Sequence, residues 1–183
     1  MGSISAFYTM PHPPIVIPEI GRGEEKKIRA TFDAFDKAAA EIASLDADTI
    51  IIVTPHGPVF SDAVALTYDS SIKGTLGKFG APQVAFKEEI DISLTEKIIE
   101  LAEKGGIMTA EITKNSAKRY GIDYELDHGA MVPLYFINKK LSGYKLVHIT
   151  YGMLPKIQLY KFGMCIRKAV EERNKKVLKK AQT

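Results

Sequence analysis

Tryptophan is absent from this 183-residue chain, and cysteine occurs once, as Cys165. A lone thiol excludes an intramolecular disulfide and any zinc site built from clustered cysteines, and it agrees with a reducing compartment. Long apolar runs are lacking too: Thr49 to Val53 falls far short of the ~20 residues a helix needs to cross a bilayer. Met1 to Met10 holds no basic residue, and Pro11, Pro13 and Pro14 follow at once, so the segment does not read as a secretory signal. Together these absences predict a soluble, cytoplasmic protein with no membrane partner. No Gly/Ser linker, repeat or low-complexity stretch divides the chain, so a single domain over residues 1–183 is expected.

What is present suffices for a core, with 45% hydrophobic and 26% charged residues. The net charge of +3 is unevenly spread. From Lys156 onward there are nine Lys or Arg against two Glu, or +7, and the remainder carries −4. That basic end reads as a solvated helix face. Beyond Phe162 no aromatic residue is interleaved with its lysines and arginines for base stacking, which argues against a nucleic-acid partner.

Strands and helices alternate in the pattern. Ile4 to Met10 is apolar and β-prone and predicts a first strand ending at Pro11. Glu24 to Leu45 spaces Ile28, Phe32, Phe35, Ala39 and Ile42 as a helix does. Thr49 to Thr54 is a β-branched run suited to a strand buried on both faces. Val64 to Tyr68 predicts another strand, Ser70 to Pro82 with its three glycines a loop, and Val84 to Phe86 a short strand. A helix over Ile92 to Lys104, a strand over Met108 to Thr113, a helix over Ala130 to Ile137, a strand over Lys145 to Thr150 and a helix over Gln158 to Lys176 complete the order. The expected fold is a three-layer α/β/α sandwich around a mostly parallel or mixed sheet.

Three of the four histidines stand in unusually constrained settings: Pro11-His12-Pro13-Pro14, Thr54-Pro55-His56-Gly57 and Leu126-Asp127-His128-Gly129. Each lies near a strand end or a helix start, where functional sites of open α/β sheets gather. Two of them on neighbouring strand ends suit one metal ion, and a third suits the open side of it. Asp127 and His128, adjacent in extended chain, point apart, so Asp127 is expected to cap the helix that starts near Gly129. At that helix start the dipole favours a neutral His128 ring, able to accept or donate a proton. His148 lies inside the apolar strand Leu146-Val147-His148-Ile149 and reads as structural.

These residues also carry a resemblance. Met10-Pro-His-Pro-Pro-Ile-Val-Ile-Pro-Glu-Ile-Gly21, Thr-Pro-His-Gly57, Gly77-Lys-Phe-Gly-Ala-Pro-Gln83 and Leu126-Asp-His-Gly-Ala-Met-Val-Pro-Leu-Tyr-Phe136 resemble the class III extradiol ring-cleavage dioxygenases. More narrowly, they resemble the catalytic-subunit-B-like domains of the AmmeMemoRadiSam cluster, relatives of Memo. The resemblance implies a non-haem Fe(II) oxidoreductase that opens a catechol ring next to the diol with dioxygen, needing no organic cofactor. It implies His12 and His56 as iron ligands, His128 as the acid/base residue and Asp127 as its support. A small aromatic diol would be the partner molecule.

Relatives in that family continue into a Ser-Gly-Asp-Leu-Ser-His type motif with a second acid/base histidine, and later a glutamate that is the third iron ligand. Neither occurs before Thr183. The domain is therefore expected to lack the family's C-terminal segment. A homo-oligomer or partner chain would then complete it, or one of Glu19, Asp62, Glu125 and Asp127 would supply the carboxylate. Two histidines alone hold Fe(II) weakly, leaving zinc or an empty site as alternatives. The competing reading is a non-catalytic metal-binding or protein-interaction module of Memo-like type.

Overall fold

The computed structural model describes residues 3–181, with side chains through Arg173. In chain order the elements are α1 (Pro18–Gly21), α2 (Arg29–Ser44), β1 (Thr49–Thr54), β2 (Val64–Thr67), β3 (Ser71–Leu76), β4 (Ala81–Glu89), α3 (Ile92–Lys104), β5 (Thr109–Ile112), α4 (Lys114–Tyr120), α5 (His128–Ile137), β6 (Lys145–Thr150) and α6 (Lys156–Ala181). Four strands form one mixed sheet in the order β1-β6-β2-β5. β1 runs parallel to β6 with Thr54 beside Thr150, β6 antiparallel to β2, and β2 parallel to β5.

Helices cover both faces, which gives the expected α/β/α sandwich. On one face α2 and α5 meet through Phe35 and Phe136, whose rings stack with centroids 4.7 Å apart. Each of these nearly buried phenylalanines contributes about 2–3 kcal/mol through the apolar area it removes from water. On the other face α3 and α6 pack Leu94, Ile98, Leu101, Phe162 and Ala169 against Val64, Leu66, Val147 and Ile149. A buried latch joins that layer to the sheet. Asp91, at the N-cap of α3, accepts hydrogen bonds from the Leu94 amide at 3.2 Å and Thr49 Oγ1 at 2.6 Å, and pairs with Arg173 of α6. Among the described residues no helix is long and apolar enough to cross a membrane.

The structure corrects several sequence expectations. Ile4 to Met10 forms no strand; Phe7 is 85% exposed, and no sheet partner draws the apolar stretch into a ladder. Glu24 to Leu45 is two pieces, a 3-10 turn over Glu24–Ile28 and then α2, broken where Ile28 leaves helical geometry at φ −117°, ψ 37°. The expected loop over Ser70 to Pro82 holds β3, whose alternate residues Ile72, Gly74 and Leu76 are buried. It pairs with a nine-residue β4, far longer than Val84 to Phe86, as an antiparallel hairpin beside the main sheet. α4 escaped the hydrophobic pattern because a reciprocal Thr113/Ser116 capping box, rather than an apolar stripe, begins it. The basic face expected after Lys156 falls on α6, and its part beyond Arg173 lies outside the described side chains.

Candidate metal centre

The three constrained histidines converge. His12 stands in the loop before the 3-10 turn Pro14–Val16, His56 two residues past the end of β1, and His128 in the first turn of α5. His12 Nε2 and His56 Nε2 lie 2.9 Å apart. The His56 and His128 rings stack with centroids 4.0 Å apart, and His12 meets both rings edge-on, at 4.8 Å from His56 and 5.8 Å from His128. One ligating nitrogen from each ring falls within 4.8 Å of the others.

That donor set fits a divalent cation. Two imidazole nitrogens bound to one ion at about 2.1 Å, at right angles, stand about 3 Å apart, close to the His12–His56 separation. Bare nitrogen lone pairs at that distance repel unless a proton or a cation lies between them. Neutral imidazoles accept zinc, iron and other transition metals.

Asp127 organises the surroundings. Its Oδ1 accepts the Gly129 amide at 2.8 Å, capping α5 as expected, and the Thr54 hydroxyl at 2.6 Å. Its Oδ2 is 2.8 Å from His148 Nε2, whose other ring nitrogen is 2.8 Å from the Thr67 hydroxyl. A neutral His148 with its proton on Nε2 satisfies every group, since Thr67 can donate to Nδ1. Burial alone would raise the Asp127 carboxyl, but His148, Thr54 and the Gly129 amide hold it below the ordinary carboxylate value. The network reaches His56 as well, whose amide donates to Thr54 Oγ1 at 3.3 Å. There is no room for larger residues here: a Cβ on Gly129 would stand 2.3 Å from Thr54 Oγ1, and one on Gly57 2.1 Å from Thr150 Oγ1.

His128 is held below the ordinary histidine value, first by burial and then by repulsion from His56. The direction is the one expected of a ring at a helix start, and burial is its largest cause. Among the described residues no carboxylate joins the cluster. Glu19 accepts from the Tyr135 hydroxyl at 2.7 Å, Glu125 pairs with Lys78, Asp127 is committed to its network, and Asp62 is exposed.

Two site residues were not legible beforehand. His148 read as a structural core histidine, and it is buried, but it is also the partner of Asp127. Phe79, at the β3–β4 hairpin tip, lies with its ring centroid 5.1 Å from that of His128. A buried histidine on a strand that ends at the site was the available signal for the first.

Residues 6–179 match the family described as the catalytic LigB subunit of aromatic ring-opening dioxygenase. The chain is also 52% identical over 172 residues to Protein CA_C1420 of Clostridium acetobutylicum, an alignment covering 94% of this chain and 37% of that protein. The chain therefore spans little more than a third of that relative's length. On the match over nearly its whole length, the chain belongs to the family of catalytic LigB subunits of aromatic ring-opening dioxygenases.

Proposed function

We propose that the chain carries the metal-holding and proton-transferring half of an Fe(II)-dependent extradiol dioxygenase site, acting on a small catecholic diol. The observation that carries this reading is the convergence of His12, His56 and His128 at the sheet end, with burial holding the His128 pKa below its ordinary value. His12 and His56 would hold the ion through Nε2. Ferrous iron there would supply the redox chemistry by which a diol and dioxygen react, with both oxygen atoms entering the opened ring.

The protein's own groups set the rest. His128 accepts the proton that a diol loses on binding and returns it later, which requires a ring neutral at physiological pH. Asp127 fixes the backbone that presents His128, and Thr54 joins this anchor to the segment bearing His56. Imidazoles held from both sequence neighbours and buried partners lose little freedom when a ligand arrives.

Anaerobic loading with Fe(II), then dioxygen uptake with substituted catechols, tests the reading. Uptake that depends on His12, His56 and His128 supports it. A second reading, a metal-binding or protein-interaction module without turnover, is favoured by the absence of a carboxylate from the cluster among the described residues. It is the outcome if the protein binds metal through the histidines yet consumes no dioxygen. A self-associated or hetero-complexed form that adds a carboxylate would reconcile the two.

A further inference from the structure

The hairpin motif Gly77-Lys-Phe-Gly-Ala-Pro-Gln83 has no part in holding the metal or in the proton relay, yet it reaches the site. Phe79 is 38% exposed, unlike the buried phenylalanines of the core, and its ring stands 5.1 Å from His128 at 60°. The tip is held from two sides. Lys78 pairs with Glu125 and, at 3.6 Å, with Asp123, both in the loop leading to His128. The Gly80 carbonyl accepts from Arg22 Nη2 at 3.4 Å, from the chain that follows His12 and α1. Below it, Leu76 is fully buried, and the Leu126 amide donates to the Lys73 carbonyl at 2.8 Å. The ring thus stands partly exposed beside the His128 imidazole rather than buried in the core.

We infer that Phe79 is a specificity-determining residue, the aromatic wall that admits flat aromatic ligands to the histidine site. This rests on the reading that the histidines form a metal site for a diol. Its face offers a planar ring the stacking and apolar contact that a small non-aromatic chelator cannot use. His128 then meets the diol edge of that ring while Phe79 meets its face. Selectivity for aromatic diols over aliphatic chelators would thus reside in the hairpin rather than in the metal ligands.

The test uses the Zn(II)-loaded full chain, which is redox-silent, titrated with 4-nitrocatechol by absorbance and with oxalate by calorimetry. Phe79→Ala is expected to weaken 4-nitrocatechol about tenfold while oxalate and Zn(II) affinities stay within about twofold. Phe79→Tyr is expected to keep 4-nitrocatechol binding near that of the unaltered protein. Circular dichroism of both variants guards against misfolding. The inference is overturned if the unaltered protein ignores 4-nitrocatechol, if Phe79→Ala binds it equally well, or if oxalate binding falls in parallel. Failure of the metal reading is seen separately, as Zn(II) uptake that His12→Ala and His56→Ala do not change. The same 4-nitrocatechol titration on metal-free protein then decides the role of Phe79, equal affinities again overturning it.

Discussion

His148 Nε2 lies 2.8 Å from Asp127 Oδ2, and through this contact a strand in the middle of the sheet holds the start of the helix that bears His128. β6 pairs with β1 on one side and β2 on the other, so Asp127 is tied to the centre of the fold rather than to a flexible rim. The site's geometry is therefore coupled to the stability of the sheet.

Asp127→Ala and Asp127→Asn should differ. Alanine strands the buried His148 ring and the Gly129 amide, at a cost of about 3 kcal/mol. Asparagine keeps the Oδ1 acceptor for Gly129 and Thr54, and His148 can switch tautomer because the Thr67 hydroxyl can accept as well as donate. A loss of about 1–2 kcal/mol is expected for asparagine. Urea denaturation of metal-free protein measures both; equal losses would contradict the network.

His148→Ala should lower metal affinity by about a few-fold, because His148 touches no ligand and reaches the His56 segment only through Asp127 and Thr54. Competition with a chromophoric zinc chelator gives the number. An unchanged affinity would make His148 a packing residue only.

The lowered pKa of the His128 ring makes stability depend on pH. Its folded value is below the ordinary one, so the unfolded chain takes up a proton there first as pH falls. The stability tied to the neutral ring is full above about pH 6.5 and is lost progressively as pH drops below it. Denaturation of metal-free protein between about pH 7.5 and 5 should show this decline, and His128→Gln should flatten part of it. A variant profile as steep as the original would contradict the burial argument.

Arg173→Ala tests the latch between α6 and the sheet. It leaves the buried Asp91 carboxylate with Thr49 and the Leu94 amide only, and a loss of about 1–2 kcal/mol is expected, since Arg173 is itself a third exposed. Because this pair is remote from the histidines in the fold's other layer, metal affinity should hold.

The sequence showed these features unequally, for physical reasons. Thr49 to Thr54 was readable as a strand because an unbroken β-branched run suits little else. The same logic misled at Ile4 to Met10, where β-prone residues find no neighbouring strand and propensity alone forms no ladder. At Ser71–Leu76 the glycine within the segment hid a period of two, although Gly74 is there because Leu126 crosses closely above it. His12, His56 and His128 stood out because proline and glycine bracket them. His148 and Phe79 owe their places to strand order and hairpin packing, which no local pattern encodes.

Metal content tests most directly whether His12 and His56 hold a metal ion. After anaerobic Fe(II) loading and desalting, metal analysis should find about one iron per chain, falling to near none in His12→Ala and His56→Ala while both remain folded. Full iron occupancy in those variants would contradict the account.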